Sequence, residues 1–103
     1  MARILFTEPA EYDLIKIENY IRDTLKNPNA AIQVTDAIVK KSYSLQHFPK
    51  EHSIVKDNFL AVLGFRMTSS DNYNIFYIYD DDEDIVHIVR ILYNRADWQN
   101  ILR

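Results

Sequence analysis

Tyr73-Asn74-Ile75-Phe76-Tyr77-Ile78-Tyr79-Asp80-Asp81-Asp82-Glu83-Asp84-Ile85-Val86-His87-Ile88-Val89-Arg90-Ile91-Leu92 decides the fold. Two runs of β-branched and aromatic residues flank an unbroken acidic block. That composition describes two strands and the turn between them. A third run of the same character, Val62 to Thr68, precedes them across Ser69-Ser70-Asp71-Asn72. Strands joined by such short turns form an antiparallel meander, so the second half of the chain is sheet.

The first half has a different period. After a short strand over residues 3–7, Pro9 sits in a first helical turn with Thr7 or Glu8 as its cap. Ala10, Leu14, Ile17, Ile21 and Leu25 then recur at helical spacing, with Glu11, Asp13, Glu18 and Arg22 mostly off that face. Asn27-Pro28-Asn29 ends this helix and opens another, because proline biases the preceding residue away from helical angles. Ala31, Val34, Ile38, Leu45 and Phe48 continue the spacing until Pro49, and residues 50–60 are a mixed loop. The expected fold is α+β in the order β-α-α-β-β-β. A helical hairpin packs on a twisted antiparallel sheet, with a short C-terminal helix or turn around Asp97, Trp98, Ile101 and Leu102.

Bulk composition limits what such a chain does. Its 103 residues suit a single domain spanning 1–103, and 13% aromatics with one glycine argue against disorder. The absence of cysteine removes disulfides and cysteine-based metal or redox sites and suits a reducing cytoplasm. No apolar run reaches the length of a signal peptide or membrane span, so no membrane contact is expected. Net charge is −3, unlike a protein that coats nucleic acid. Charge is unevenly placed, however. Residues 62–103 hold four arginines, no lysine and seven acids, five of them in the run Asp80–Asp84. Arginine without lysine points to geometric recognition of carboxylate or phosphate.

Two of those arginines lie inside apolar strands. Strict alternation sets Arg90 with Val86, Ile88 and Leu92 on one face and His87, Val89 and Ile91 on the other. Arg66 is flanked by Phe65 and Met67 just after Gly64. An arginine in such a place needs an exit to solvent or a partner. If their strands are neighbours, Arg66, Arg90, Tyr93 and Arg95 converge on one anion site; the competing reading is a set of salt bridges, with Tyr93 and Trp98 as core aromatics.

Other features carry less. Asp80–Asp84 lacks the glycine and closing glutamate of a helix–loop–helix calcium site and is expected to be a solvated turn. His47, Glu51, His52 and His87 match no metal-ligand spacing, and no glycine-rich phosphate loop occurs, so no cofactor and no metal is expected.

Taken together, Glu11-Tyr12-Asp13-Leu14, Ile17, Tyr20-Ile21, Asn27-Pro28, Ala30-Ala31, Leu45, Phe48-Pro49, Gly64-Phe65-Arg66, Tyr73-Asn74-Ile75-Phe76-Tyr77, Arg90-Ile91-Leu92-Tyr93-Asn94-Arg95, Asp97-Trp98 and Ile101-Leu102 form a pattern. It resembles the RelE/ParE superfamily of bacterial type II toxin–antitoxin toxins over nearly the full length, and the ParE branch more than the RelE branch. The resemblance implies a cytoplasmic toxin, of the kind linked to plasmid stabilization, neutralised by a cognate antitoxin in a hetero-oligomer. Operator DNA would be contacted only through the antitoxin.

On the ParE branch the target would be DNA gyrase, met by Arg90, Tyr93, Asn94, Arg95, Ala96 and Trp98, and the chain would not be an enzyme. On the RelE branch it would be a ribosome-dependent mRNA endoribonuclease (an mRNA interferase), with Arg66, Arg90, Tyr93 and Arg95 as catalytic residues. His87, which alternation sets on the opposite face from Arg90, would be a poor proton-transfer group. The pattern departs at Ala96, where such toxins carry a second arginine. A third expectation is therefore an attenuated toxin that keeps only antitoxin binding.

Overall fold

A computed structural model describes all residues, 1–103. Strand β1 spans Arg3–Phe6, helix α1 Glu8–Asn19, helix α2 Pro28–Tyr43 and helix α3 Asn58–Val62. Strands β2, β3 and β4 follow at Phe65–Ser70, Tyr73–Asp80 and Ile85–Tyr93, and helix α4 closes the chain at Trp98–Leu102. The sheet order is β1-β4-β3-β2. The meander β2-β3-β4 is antiparallel as expected, but β1 lies parallel to β4, with Arg3 opposite Ile85 and Phe6 opposite Ile88. The sheet is therefore mixed rather than antiparallel. The helical hairpin carries the chain to the far edge, and the meander walks back until its last strand meets the first.

Capping side chains start the helices. Thr7 Oγ1 accepts from the Ala10 N–H at 3.2 Å and donates to the Val89 carbonyl at 2.8 Å, so one hydroxyl starts α1 and ties it to β4. Asn27 accepts from Ala30 N–H at 3.1 Å to open α2, and Asp57 from Leu60 N–H at 3.1 Å to open α3. Helix α1 leaves through a π-turn, Tyr20–Thr24, where the Leu25 N–H reaches the Tyr20 carbonyl. The extra residue shifts the phase of the stripe. Ile21 stays buried, but Leu25, expected to continue the buried face, is exposed. Phe48 is likewise exposed rather than buried, because α2 tightens into a 3₁₀ turn at Ser44–Gln46 and ends before it.

The start of β2 also differs from expectation. Val62 belongs to α3 and is 87% exposed. Gly64, at φ +85°, reverses the chain so that the strand begins at Phe65. A Cβ there would meet only Ile78 Cγ2 at 3.8 Å, so the backbone angle, not crowding, is what glycine satisfies.

Both faces of the sheet are covered. The α1–α2 hairpin buries Ile17, Ile21, Ala31, Ile38 and Leu45 against Ile75, Tyr77, Val86, Ile88 and Ile91. A smaller core of Leu60, Phe65, Phe76 and Leu92 lies on the opposite face, closed by Trp98 and Leu102 of α4 and by α3. The acidic run forms the β3–β4 turn. Asp80 Oδ1 accepts from the N–H groups of Asp82 and Glu83, and the Tyr79 hydroxyl donates to Asp84 at 2.6 Å.

That last bond, with the neighbouring carboxylates, pushes the Tyr79 pKa up to about 12. Because the folded value lies above the free one of roughly 10, the bond's contribution is complete below that pH and is lost as pH rises towards 12. In an ultraviolet titration of the seven tyrosines, Tyr79→Phe is expected to remove one phenol from the fraction ionising near pH 12.

Candidate target-binding segment and groove

The register of β4 departs from strict alternation at the point where the chemistry begins. Ile88 pairs with Tyr77, but Arg90 pairs with Phe76, leaving Val89 as the extra residue of a β-bulge. Its consequence is a change of face. Val86, Ile88 and Ile91 all lie in the core under the helical hairpin, while Val89 and Leu92 pack in the smaller core on the other side. The alternation expected from the sequence, which set Leu92 with Ile88 and Ile91 with His87, is thereby corrected.

The bulge sits beyond the last residue of β1 and aims Arg90 at α1. Its guanidinium meets Asp13 in a two-pronged contact, Nε to Oδ2 at 2.7 Å and Nη2 to Oδ1 at 2.9 Å. Asp13 Oδ2 also accepts the Ile91 N–H at 2.9 Å. One buried carboxylate thus fixes both the arginine and the strand edge that β1 leaves unpaired. Asp13, expected off the buried face of α1, is only 5% exposed. It falls between Ala10 and Ile17 on that face and is tolerated there because its oxygens find charged and backbone donors. The same contact raises the Arg90 pKa above its ordinary value, the hydrogen bond that it donates to Asp13 being the largest cause.

Arg66 goes elsewhere. It pairs with Tyr77 across β2–β3, bridges Ile54 on its other side, and donates Nη1–H to the His52 carbonyl at 2.6 Å. The expected convergence of Arg66, Arg90, Tyr93 and Arg95 on one anion site is therefore not formed. The competing expectation, salt bridges with Tyr93 and Trp98 as core aromatics, describes Arg90 and Trp98 but not Arg66, whose partner is a backbone carbonyl, nor Tyr93, which is exposed. Tyr77 itself is buried, which pushes its hydroxyl up to about 12.

The residues after β4 divide in two. Tyr93, Asn94 and Arg95 are exposed, and Arg95 makes no ion pair. Asn94 N–H donates to the Asn72 carbonyl at 2.7 Å and Ala96 N–H to the Tyr93 carbonyl at 2.9 Å, so the turn is held at both ends. Ala96 and Trp98 face inward. Ala96 packs on the smaller core, and the Trp98 ring lies 5.3 Å from that of Phe76. Of the six residues expected to meet a target, only Tyr93, Asn94 and Arg95 present themselves openly. Arg90, Ala96 and Trp98 are engaged in internal contacts.

Beside this segment runs a groove of about 1160 Å³ between the helical hairpin and the end of the sheet. Ile17, Ile21, Leu25 and Val34 line its helical wall, Tyr73, Ile91 and Tyr93 its sheet wall. None of Tyr20, Asp71 and Tyr73 was expected at the target or antitoxin surface, Asp71 being read as a turn residue and Tyr73 as part of a strand, yet all three border this groove. The Tyr73 and Tyr93 rings meet edge to face at 6.0 Å. The signal was present in part: β3 alone carries four aromatics, Tyr73, Phe76, Tyr77 and Tyr79.

Comparison with known proteins adds a family. A model described as the ParE toxin of type II toxin–antitoxin systems, parDE, matches residues 4–98. No curated protein sequence matches the chain. Among solved structures, the chromosomal ParDE system from P. aeruginosa is 20% identical at a TM-score of 0.74, over 90% of this chain and 96% of that one. The RelBE2 toxin–antitoxin complex from Mycobacterium tuberculosis is 22% identical at 0.67, over 89% and 96%. The isolated E. coli RelE toxin is 15% identical at 0.60, over 99% and 95%.

Proposed function

The chain belongs to the ParE toxin family, the toxin component of type II toxin–antitoxin systems, and we propose that it poisons DNA gyrase in the cytoplasm. Tyr93, Asn94 and Arg95 make the contact. A cognate antitoxin neutralises the toxin by laying an apolar segment along the groove beside them, and any operator DNA is bound by the antitoxin. A helix or extended segment in an apolar groove is a common mode of such capture.

The observation that carries the target reading is the commitment of the strand arginines. Cleaving RNA at a 2′-hydroxyl needs free cations held around the phosphate together with a proton-transfer group. Here Arg90 is spent on Asp13 and Arg66 on the His52 carbonyl. What is left in the open, a tyrosine and an arginine on a braced turn, suits a protein partner, since those residues dominate binding hot spots.

Purified gyrase decides the matter. Supercoiling is expected to fall in the presence of the toxin and recover on adding the antitoxin. No inhibition at micromolar excess overturns the reading, and cleavage of mRNA on translating ribosomes would install the ribonuclease alternative. The attenuated-toxin alternative is tested at the same bench. Ala96 is half-buried on the smaller core, so an arginine there lays its stem over apolar surface and its head in solvent. Ala96→Arg is expected to change stability by under about 1 kcal/mol. A gain of inhibition from near zero would mean that position 96 limits toxicity.

A further inference from the structure

The groove ends in a cluster that apolar docking does not explain. Tyr20 comes from the π-turn that follows α1, Tyr73 from the start of β3 and Tyr93 from the end of β4, and all three border the groove with Asp71. Tyr20 and Tyr93 are each about half exposed, at 52% and 48%. The chain thus presents large aromatic faces where leucine would serve an apolar partner as well. Tyr73 and Tyr93 are cross-strand partners, and their edge-to-face contact at 6.0 Å fixes both rings. The tip carrying Asp71 is fixed too: Asn72 accepts the Asn94 N–H at 2.7 Å. Burial raises the Tyr73 pKa, and the nearby Tyr20 and Tyr93 hydroxyls raise it further, so three phenols crowd one place.

The groove lining holds two acids and two bases, placed unevenly: Asp13 and Arg90 form an ion pair, and the Lys16 ammonium lies against the Tyr12 ring, 5.3 Å from its centroid. The Asp71 carboxylate is in no salt bridge. Three tyrosines bordering one groove with a carboxylate in no salt bridge beside them are the chemistry that attracts a cation, because the ring quadrupole and the carboxylate favour the same charge.

The geometry points to an aromatic cage formed by Tyr20, Tyr73 and Tyr93, with Asp71 at its rim, that receives an arginine side chain of the antitoxin segment lying in the groove. This rests on the groove being the antitoxin's seat. It adds that the bound segment is basic at one point rather than apolar throughout, and that this arginine sets the register in which it lies.

The test uses the full chain and N-acetyl-arginine amide as probe, with N-acetyl-norleucine amide as the uncharged control, read by the ring proton resonances of the three tyrosines. The arginine derivative is expected to shift all three saturably while the control leaves them in place. Asp71→Asn keeps a side chain suited to the φ of +51° at that position, and Tyr20→Leu alters an exposed ring. Each is expected to weaken the affinity roughly three-fold or more, with the rest of the spectrum unchanged. Equal shifts from both probes, no saturation, or unchanged affinity in both variants overturns the cage. None of these outcomes depends on gyrase or on the antitoxin, so a failure of the cage is distinguishable from a failure of the proposed function.

Discussion

Asp13→Ala is expected to destabilise the fold by about 3 kcal/mol, at the low end of the range for breaking a buried ion pair because Arg90 keeps some contact with water. In a chain of this size the loss would appear as a melting temperature lower by roughly 10–20 °C. The cost has two parts. Arg90 keeps its charge in an apolar strand with no partner, and the Ile91 N–H loses its acceptor on an edge that β1 does not cover. Asp13→Asn separates them, since its amide oxygen still accepts one N–H but no longer balances the guanidinium; it is expected to fall between wild type and alanine.

The double variant Asp13→Leu with Arg90→Met is the control. Replacing both partners with apolar side chains of similar size removes the desolvated charges together, and it is expected to recover most of the loss. Thermal unfolding of the four proteins is the measurement. If Asp13→Ala melts within a few degrees of wild type, the carboxylate does not hold the bulge.

The same pair marks where sequence reading stopped. All the elements but α3 were legible, because their signals are local: the Asn27-Pro28 break, the cap at Thr7, and the acidic turn between two β-rich runs. Periodicity then assumes an uninterrupted repeat, and the missed positions are those where the repeat is broken. One extra residue at Val89 exchanges the faces of Ile91 and Leu92, and one extra residue in the π-turn carries Leu25 into solvent. Neither insertion has a sequence mark such as glycine or proline.

Asp13 was misplaced for a different reason. A carboxylate within an apolar stripe is assigned to solvent unless its partner is known, and its partners lie 77 and 78 residues away. The anion site built from Arg66 and Arg90 failed on the same ground. An in-strand arginine needs a partner, but sequence does not say whether that partner is a ligand or the protein's own backbone and carboxylates.

Arg95 tests the division between contacting and positioning residues most directly. Arg95→Ala is expected to raise the toxin concentration needed for half-inhibition of gyrase ten-fold or more, about 1.4 kcal/mol or greater, with the melting temperature unchanged. Arg95 is exposed and in no ion pair, so removing it leaves no internal group unsatisfied. Arg90→Ala should behave otherwise: it strands the Asp13 carboxylate in the core, so inhibition and melting temperature fall together. Arg95→Lys refines the result, because lysine keeps the charge but not the planar fork, and partial recovery would mean the target presents a carboxylate or phosphate recognised by geometry. Should Arg95→Ala inhibit as well as wild type while Arg90→Ala is inactive but folded, the contact surface would lie on the groove side of β4 rather than on the turn that follows it.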